Sequence, residues 1–116
     1  MIKRSLGQIA NMIGGKLSDE SYKDLIIEGV STDSRTVNKD NLYIPLIGEV
    51  FDGRIFIKEC ENKGAAAFLI NEDYKIKKNI NIPYIKVENT EDALRDLARA
   101  YRKELDIKII GITGSN

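Results

Sequence analysis

The sequence contains no histidine or tryptophan, a single cysteine and only two prolines. Without histidine, the side chain that most often moves protons or ligates metals near neutral pH is unavailable. Cys60 alone cannot close an internal disulfide, which points to a reducing, cytoplasmic setting. With no histidine to activate it, that thiol reads as a structural residue on an apolar helix face. Neither sign of charge is in excess, because 18 Lys and Arg balance 18 Asp and Glu. No global field therefore draws in a polyanion such as DNA, and any anionic ligand must be held locally. No apolar run approaches the roughly 20 residues of a membrane span. The start, Met1-Ile2-Lys3-Arg4-Ser5-Leu6, carries positive charge but lacks the apolar stretch of a secretory leader. A chain of 116 residues, 42% of them hydrophobic, fits one domain with a real core. The expectation is a soluble cytoplasmic monomer with no nucleic-acid, membrane or metal partner.

What is present is an alternation of helical and extended patterns. Ser5-Leu6-Gly7-Gln8 matches a capping box, and Leu6, Ile9 and Ile13 form one helical stripe that Gly14-Gly15 ends. Leu25 to Val30 predicts a strand, Ser31 to Thr36 a polar loop, and Leu42 to Ile47 a second strand that Pro45 assigns to an edge or a bulge. Gly48 and Gly53 bracket a turn. A helix is predicted over Arg54 to Lys63, with Phe56, Ile57 and Cys60 at core spacing and Gly64 as its stop. Strands are predicted over Ala65 to Ile70 and Pro83 to Val87, with an exposed lysine- and asparagine-rich connection over Asn71 to Asn81. Thr90 is expected to cap a last helix whose apolar face carries Leu94, Leu97, Ala98, Tyr101 and Leu105. A terminal strand, Ile107 to Gly111, then runs into a glycine loop. The pattern is an α/β domain.

Several segments could carry chemistry. Thr32-Asp33-Ser34-Arg35 offers hydrogen-bonding side chains after a buried strand, with Arg35 suited to bidentate phosphate contact. Spacing alone favours an Asx-type turn with Arg35 paired to a surface carboxylate. Gly48-Glu49-Val50-Phe51-Asp52-Gly53 could present backbone N–H groups and an aromatic face to a base or sugar, or could be a plain turn with Phe51 in the core. Gly111-Ile112-Thr113-Gly114-Ser115-Asn116 follows a β-branched run as a phosphate loop does, but without the lysine that completes one.

Taken together, three stretches resemble the Mur ligases, the ATP-dependent amide ligases that build the peptide of bacterial peptidoglycan. Val30 to Val37 looks like their TDSR-V signature. Leu42 to Ile57 looks like their LFVAL-GE-FDGH-FI segment, and Gly111 to Asn116 like the opening of their GITGSNGKT loop. Within the family, Leu6 to Ala10 and Gly48 to Gly53 are most similar to the branch that adds D-alanyl-D-alanine. The branch adding the third peptide residue is the alternative, as is a domain with no ligand binding of its own.

The resemblance implies a small mixed-sheet domain with flanking helices over residues 1–104, followed over 105–116 by the first strand of a truncated P-loop domain. It implies that the first domain binds the UDP end of UDP-N-acetylmuramoyl-tripeptide, while ATP and Mg²⁺ belong to the rest of the enzyme. By position, Thr32 and Ser34 would contact the uridine diphosphate, and Glu49, Val50 and Phe51 would form the other wall. Asp33 and Arg35 would shape the loop or reach the diphosphate. Gly114, Ser115 and Asn116 would open the ATP cradle, and no catalytic residue is assigned. Arg54 departs from the pattern, standing where many relatives have histidine, and the ATP loop lacks its lysine. The chain alone is expected to be inactive and to hold neither ATP nor Mg²⁺.

Overall fold

The computed structural model describes residues 3–113, with side chains described through Arg102. Strand β1 (Lys3–Ser5) runs directly into helix α1 (Leu6–Ile13). The junction is the capping box: the Gln8 N–H donates to Ser5 Oγ at 3.2 Å and the Ser5 N–H donates to Gln8 Oε1 at 3.0 Å. Gly14, in the left-handed region at φ 64°, ends the helix by turning its N–H onto the Ala10 carbonyl. There follow β2 (Lys16–Leu17), a 3₁₀ turn (Glu20–Tyr22), β3 (Ile26–Glu28), β4 (Val30–Ser31) and β5 (Leu42–Tyr43). A second 3₁₀ turn (Gly53–Phe56) feeds α2 (Ile57–Asn62), and β6 (Ala67–Asn71), β7 (Tyr84–Val87) and α3 (Thr90–Thr113) complete the order.

β1 and β3 pair antiparallel as a two-stranded ribbon, while a five-stranded sheet runs in the order β2-β7-β6-β5-β4. In that sheet β2 is antiparallel to β7 and the other neighbours are parallel. Alternation on the central strands sends side chains to two different cores. Leu42, Ile44, Leu69 and Ile85 meet Leu6 and Ile9 of α1 and Leu97 of α3 on one face. Tyr43, Phe68 and Ile70 meet Ile57 and Cys60 of α2 on the other. Because the central strands are covered on both sides, they read as near-continuous apolar runs. The ends of β4 and β5 lie together at one edge of the sheet, and the loops that leave them form the candidate site.

Several boundaries differ from the sequence expectation, each for a local reason. The strand read over Leu25 to Val30 is cut at Gly29, whose φ of 85° turns the chain from the ribbon into the main sheet. The strand read over Leu42 to Ile47 keeps only Leu42–Tyr43 and is central rather than an edge. Ile44 still donates to Ser31 O at 2.9 Å, and Pro45, lacking an N–H, halts the ladder there. The cap of α3 is Asn89, whose Oδ1 accepts the Asp92 N–H at 3.0 Å; Thr90 is buried in the first turn. The connection after β6 is not simply exposed, since Tyr74, Ile76 and Ile80 pack on the second core.

The terminal strand expected at Ile107 to Gly111 is instead the continuation of α3. Among the described residues that segment has no strand partner, and a helix satisfies its N–H and C=O groups internally. Leu105 lies beyond the described side chains, and Gly114, Ser115 and Asn116 lie outside the described residues altogether.

Stability should follow this hierarchy. Ile9, fully buried between α1 and the sheet, should cost about 2–5 kcal/mol when cut to alanine. Ser5→Ala, which removes the cap, should cost about 1 kcal/mol, and Arg95→Ala, an exposed pair with Asp92, less than about 1 kcal/mol. Urea midpoints at constant m-value give the comparison, and an Ile9→Ala cost no larger than that of Arg95→Ala would contradict the packing described.

Candidate functional site

The loop leaving β4 is organised by its own side chains. Ser31 Oγ donates to Asp33 O at 2.9 Å, and Thr36 N–H closes onto the same carbonyl at 3.0 Å. Asp33 Oδ1 accepts the Arg35 backbone N–H at 2.9 Å, which is an Asx turn. The Arg35 guanidinium grips the same carboxylate through Nε at 3.1 Å and NH2 at 2.8 Å. These bonds to the charged form hold the Asp33 carboxyl down at about 2, the Arg35 side chain contributing most. The turn that spacing favoured is therefore present, and the carboxylate paired with Arg35 is the loop's own Asp33. From the end of α2, Lys63 Nζ donates to Ser34 O at 2.6 Å.

The segment leaving β5 forms a tight hairpin. Ile47 and Asp52 are bridged, the Gly48 N–H donates to Phe51 O at 2.6 Å, and the Gly53 N–H donates to Leu46 O at 2.8 Å. Its base is fastened from below by the buried Tyr43 hydroxyl, which donates to Gly53 O at 2.8 Å. Burial pushes the Tyr43 phenol above its ordinary range. A Cβ at position 53 would lie 3.0 Å from Leu46 N, Pro45 Cα and Tyr43 Oη alike, so only glycine lets the chain pass that close. Phe51 does not join the core. It is 46% exposed and stacks on Phe56 with ring centroids 5.9 Å apart.

Between loop and hairpin lies an open cleft of about 640 Å³ lined by Thr32, Asp33, Ser34, Arg35, Phe51, Phe56 and Glu59. The Thr32 and Ser34 side-chain hydroxyls bond to no protein group among the described residues, although Ser34 is only 7% exposed. Cationic Arg35 and Lys63 stand beside anionic Asp33 and Glu59, and Lys63 Nζ is 3.7 Å from Glu59. Free hydroxyls, an aromatic face and nearby cations suit a polar, partly aromatic anion.

The structure thus brings Thr32, Asp33, Ser34, Arg35 and Phe51 to one cleft. Glu49 and Val50 sit at the exposed hairpin tip outside its lining, with Val50 fully exposed. Sequence reasoning missed Phe56, Glu59 and Lys63, which project from the start, middle and end of one helical stretch. Their spacing of three and four residues was the available signal. Assigning Phe56 to the core, where Ile57 and Cys60 do belong, concealed it. Burial pushes the Cys60 thiol up to about 11, so it is unreactive.

A second groove of about 470 Å³ lies on the far side of the loop, against Leu94, Ala98 and Tyr101 of α3. Its Asn41 amide is already engaged, donating to Glu28 O at 2.8 Å and accepting from Asn38 N–H at 3.0 Å. Among the described residues no group of His, Cys, Asp and Glu side chains could hold a metal, and no helix is long and apolar enough to cross a membrane.

Comparison with known proteins bears on the family and the fold. The chain is 41% identical over 116 residues to the UDP-N-acetylmuramoyl-tripeptide–D-alanyl-D-alanine ligase of Bacillus subtilis, covering 100% of this chain and 25% of that protein. It therefore spans about a quarter of the length of that curated relative. A crystal structure of MurF from Acinetobacter baumannii superposes with a TM-score of 0.76 at 23% identity, over 92% of this chain and 22% of that one, and shares the fold. The MurF ligase of Thermotoga maritima in complex with ADP matches with a TM-score of 0.52 at 27% identity, over 63% of this chain and 16% of that one. The family model described as "Mur ligase family, catalytic domain" matches residues 26–102, a span that runs from β3 into α3 and includes every residue of the cleft. The chain belongs to the Mur ligase family.

Proposed function

We propose that this chain is the substrate-holding part of an ATP-dependent amide ligase of peptidoglycan precursor synthesis, a cytoplasmic enzyme adding D-alanyl-D-alanine to UDP-N-acetylmuramoyl-tripeptide. Its task is to grip the uridine diphosphate end of that substrate. The observation that carries the reading is the pair of unengaged hydroxyls, Thr32 and Ser34, facing the Phe51–Phe56 stack across a cleft of about 640 Å³. That volume falls within the roughly 300–1,000 Å³ of small-molecule sites. The 41% identity to the Bacillus subtilis ligase, which runs the length of this chain and 25% of that protein, supports the D-alanyl-D-alanine branch.

Each group has a distinct task. The exposed Phe51 ring offers a flat face to the uracil, stacking that requires no particular base edge. Thr32 and Ser34 donate to or accept from the ribose and diphosphate, and Lys63 and Arg35 neutralise the phosphate charge. Glu59 accepts a ribose hydroxyl; as an acceptor only, it disfavours phosphate at its own position. Glu49 and Val50 stand at the rim. Asp33 contributes order: by engaging Arg35 it fixes the loop before ligand arrives, which reduces the entropy lost on binding.

Phosphoryl transfer lies elsewhere in such an enzyme. Gly114, Ser115 and Asn116, assigned to the ATP loop, are outside the described residues, and the described ones offer no carboxylate cluster for Mg²⁺. No step through ATP is assigned to this chain, in which residues 105–116 open the ATP-binding domain of the parent enzyme.

Isothermal titration of the chain with UDP should show saturable heat. Thr32→Val and Ser34→Ala should each weaken binding about five- to tenfold, the loss of one or two hydrogen bonds. Turnover of ATP by the chain, or no heat with the intact UDP-muramoyl peptide, would overturn the reading.

Acid should act on the same loop. Asp33 is lowered in the folded state, so its contribution to loop order is complete above the unfolded value near 3.8 and is lost as pH falls towards about 2. Carboxyl ¹³C titration should place Asp33 near 2 in the parent and return it towards about 3.9 in Arg35→Ala. An unchanged midpoint in that variant would remove Arg35 as the cause.

A further inference from the structure

Arg54 follows the hairpin and so begins next to the cleft, yet its guanidinium points away from it. Nε and NH2 donate to Asp52 Oδ1 and Oδ2 at 2.9 and 2.8 Å, and the Arg54 backbone N–H donates to Asp52 Oδ1 at 2.9 Å. The other face of the same planar group lies over the Tyr74 ring, its central carbon 4.8 Å from the centroid. The Arg54 side chain is 22% exposed and the Asp52 side chain 37%. Together with Ile57, Ile76 and Ile80, Arg54 lines a small pocket of about 70 Å³ behind the hairpin, far too small for a nucleotide. Both of the group's recognition modes, fork and face, are therefore already used.

The two partners belong to different parts of the chain. Asp52 is the last residue of the hairpin and caps the 3₁₀ turn that follows, with its main chain bridged to Ile47. Tyr74 sits in the connection between β6 and β7 and packs on the second core. Arg54 thus ties the exposed hairpin, otherwise fastened by Tyr43 at its base and by the Phe51–Phe56 stack, to a segment anchored in the core. Phe51 is the residue immediately before Asp52, so the ring that walls the cleft inherits that anchorage.

We propose that Arg54 is a positioning residue that sets the Phe51 wall of the nucleotide cleft by clamping Asp52 against Tyr74, and that it does not touch the ligand. The proposal deepens the UDP-binding reading and rests on it. A lysine cannot replace it, because an ammonium has no fork for both carboxylate oxygens and no flat face for the ring. Removing the clamp frees the hairpin without opening the core, so affinity should fall while the global unfolding midpoint stays close to that of the parent.

The test uses the 116-residue chain with UDP as the calorimetric probe and amide hydrogen exchange as a ligand-free readout. Arg54→Ala, Arg54→Lys and Tyr74→Leu should each weaken UDP about five- to tenfold, the combined worth of an exposed ion pair and a cation–π contact. The double variant Arg54→Ala/Tyr74→Leu should be no worse than either single one, and Tyr74→Phe, which keeps the ring, should bind as the parent does. The Gly48 and Gly53 amides should exchange about tenfold faster in Arg54→Ala, with core amides of β6 unchanged. Parental UDP affinity in Arg54→Ala, or additive losses in the double variant, would overturn the clamp. If UDP fails to bind the parent chain, the functional reading falls, and the exchange rates of Gly48 and Gly53 still decide whether Arg54 anchors the hairpin.

Discussion

The site depends on the short central strand β5 and on its Tyr43, which joins the core beneath to the hairpin that follows. Leu42 and Ile44 fill the core under α1 and α3, while Tyr43 fills the core under α2, and all three are fully buried. Tyr43 then spends its only donor on the Gly53 carbonyl at 2.8 Å. A buried hydroxyl left without a partner costs about 1–3 kcal/mol, so that bond fixes where the hairpin base can sit. Pro45 ends the ladder two residues after Tyr43 and releases the chain at the same sheet edge where β4 ends. Two loops of different character are thereby held opposite each other, and the cleft is the space between them.

The two walls achieve order in different ways. The β4 loop is fixed almost entirely by bonds among Ser31, Asp33, Arg35 and Thr36, so it is formed before any ligand binds. The hairpin is fixed at its base by Tyr43 and behind by Arg54, while Glu49 and Val50 at its tip have no such support. The polar wall is thus bonded within itself, and the aromatic wall is anchored at its base and behind, with Phe51 stacked on Phe56. Around the cleft most polar groups are paired, whereas the Thr32 and Ser34 hydroxyls bond to no protein group among the described residues.

Much of this was legible in the sequence. The Ser5–Gln8 capping box, the apolar stripe of α1, the polar loop after Val30 and the glycine-bracketed turn are local, and local chemistry decides them. The alternation of strands and helices gave the class of fold. What escaped reading was set by distant partners. Lys3 to Ser5 becomes a strand only because Ile26 to Glu28 lies beside it. Phe56 resembles a core residue in spacing and is drawn to the cleft by Phe51. The segment Ile107 to Gly111 has strand composition but no strand neighbour among the described residues, and continues as helix.

The central claim is that the groove between the Ser31–Thr36 loop and the Gly48–Gly53 hairpin holds the nucleotide. Amide chemical-shift mapping with UDP tests it most directly. The account predicts saturable shifts concentrated at Thr32, Ser34, Arg35, Phe51, Phe56 and Lys63, with the groove along Leu94, Ala98 and Tyr101 undisturbed. Shifts that instead centre on that second groove, while the Thr32–Arg35 amides stay in place, would contradict it.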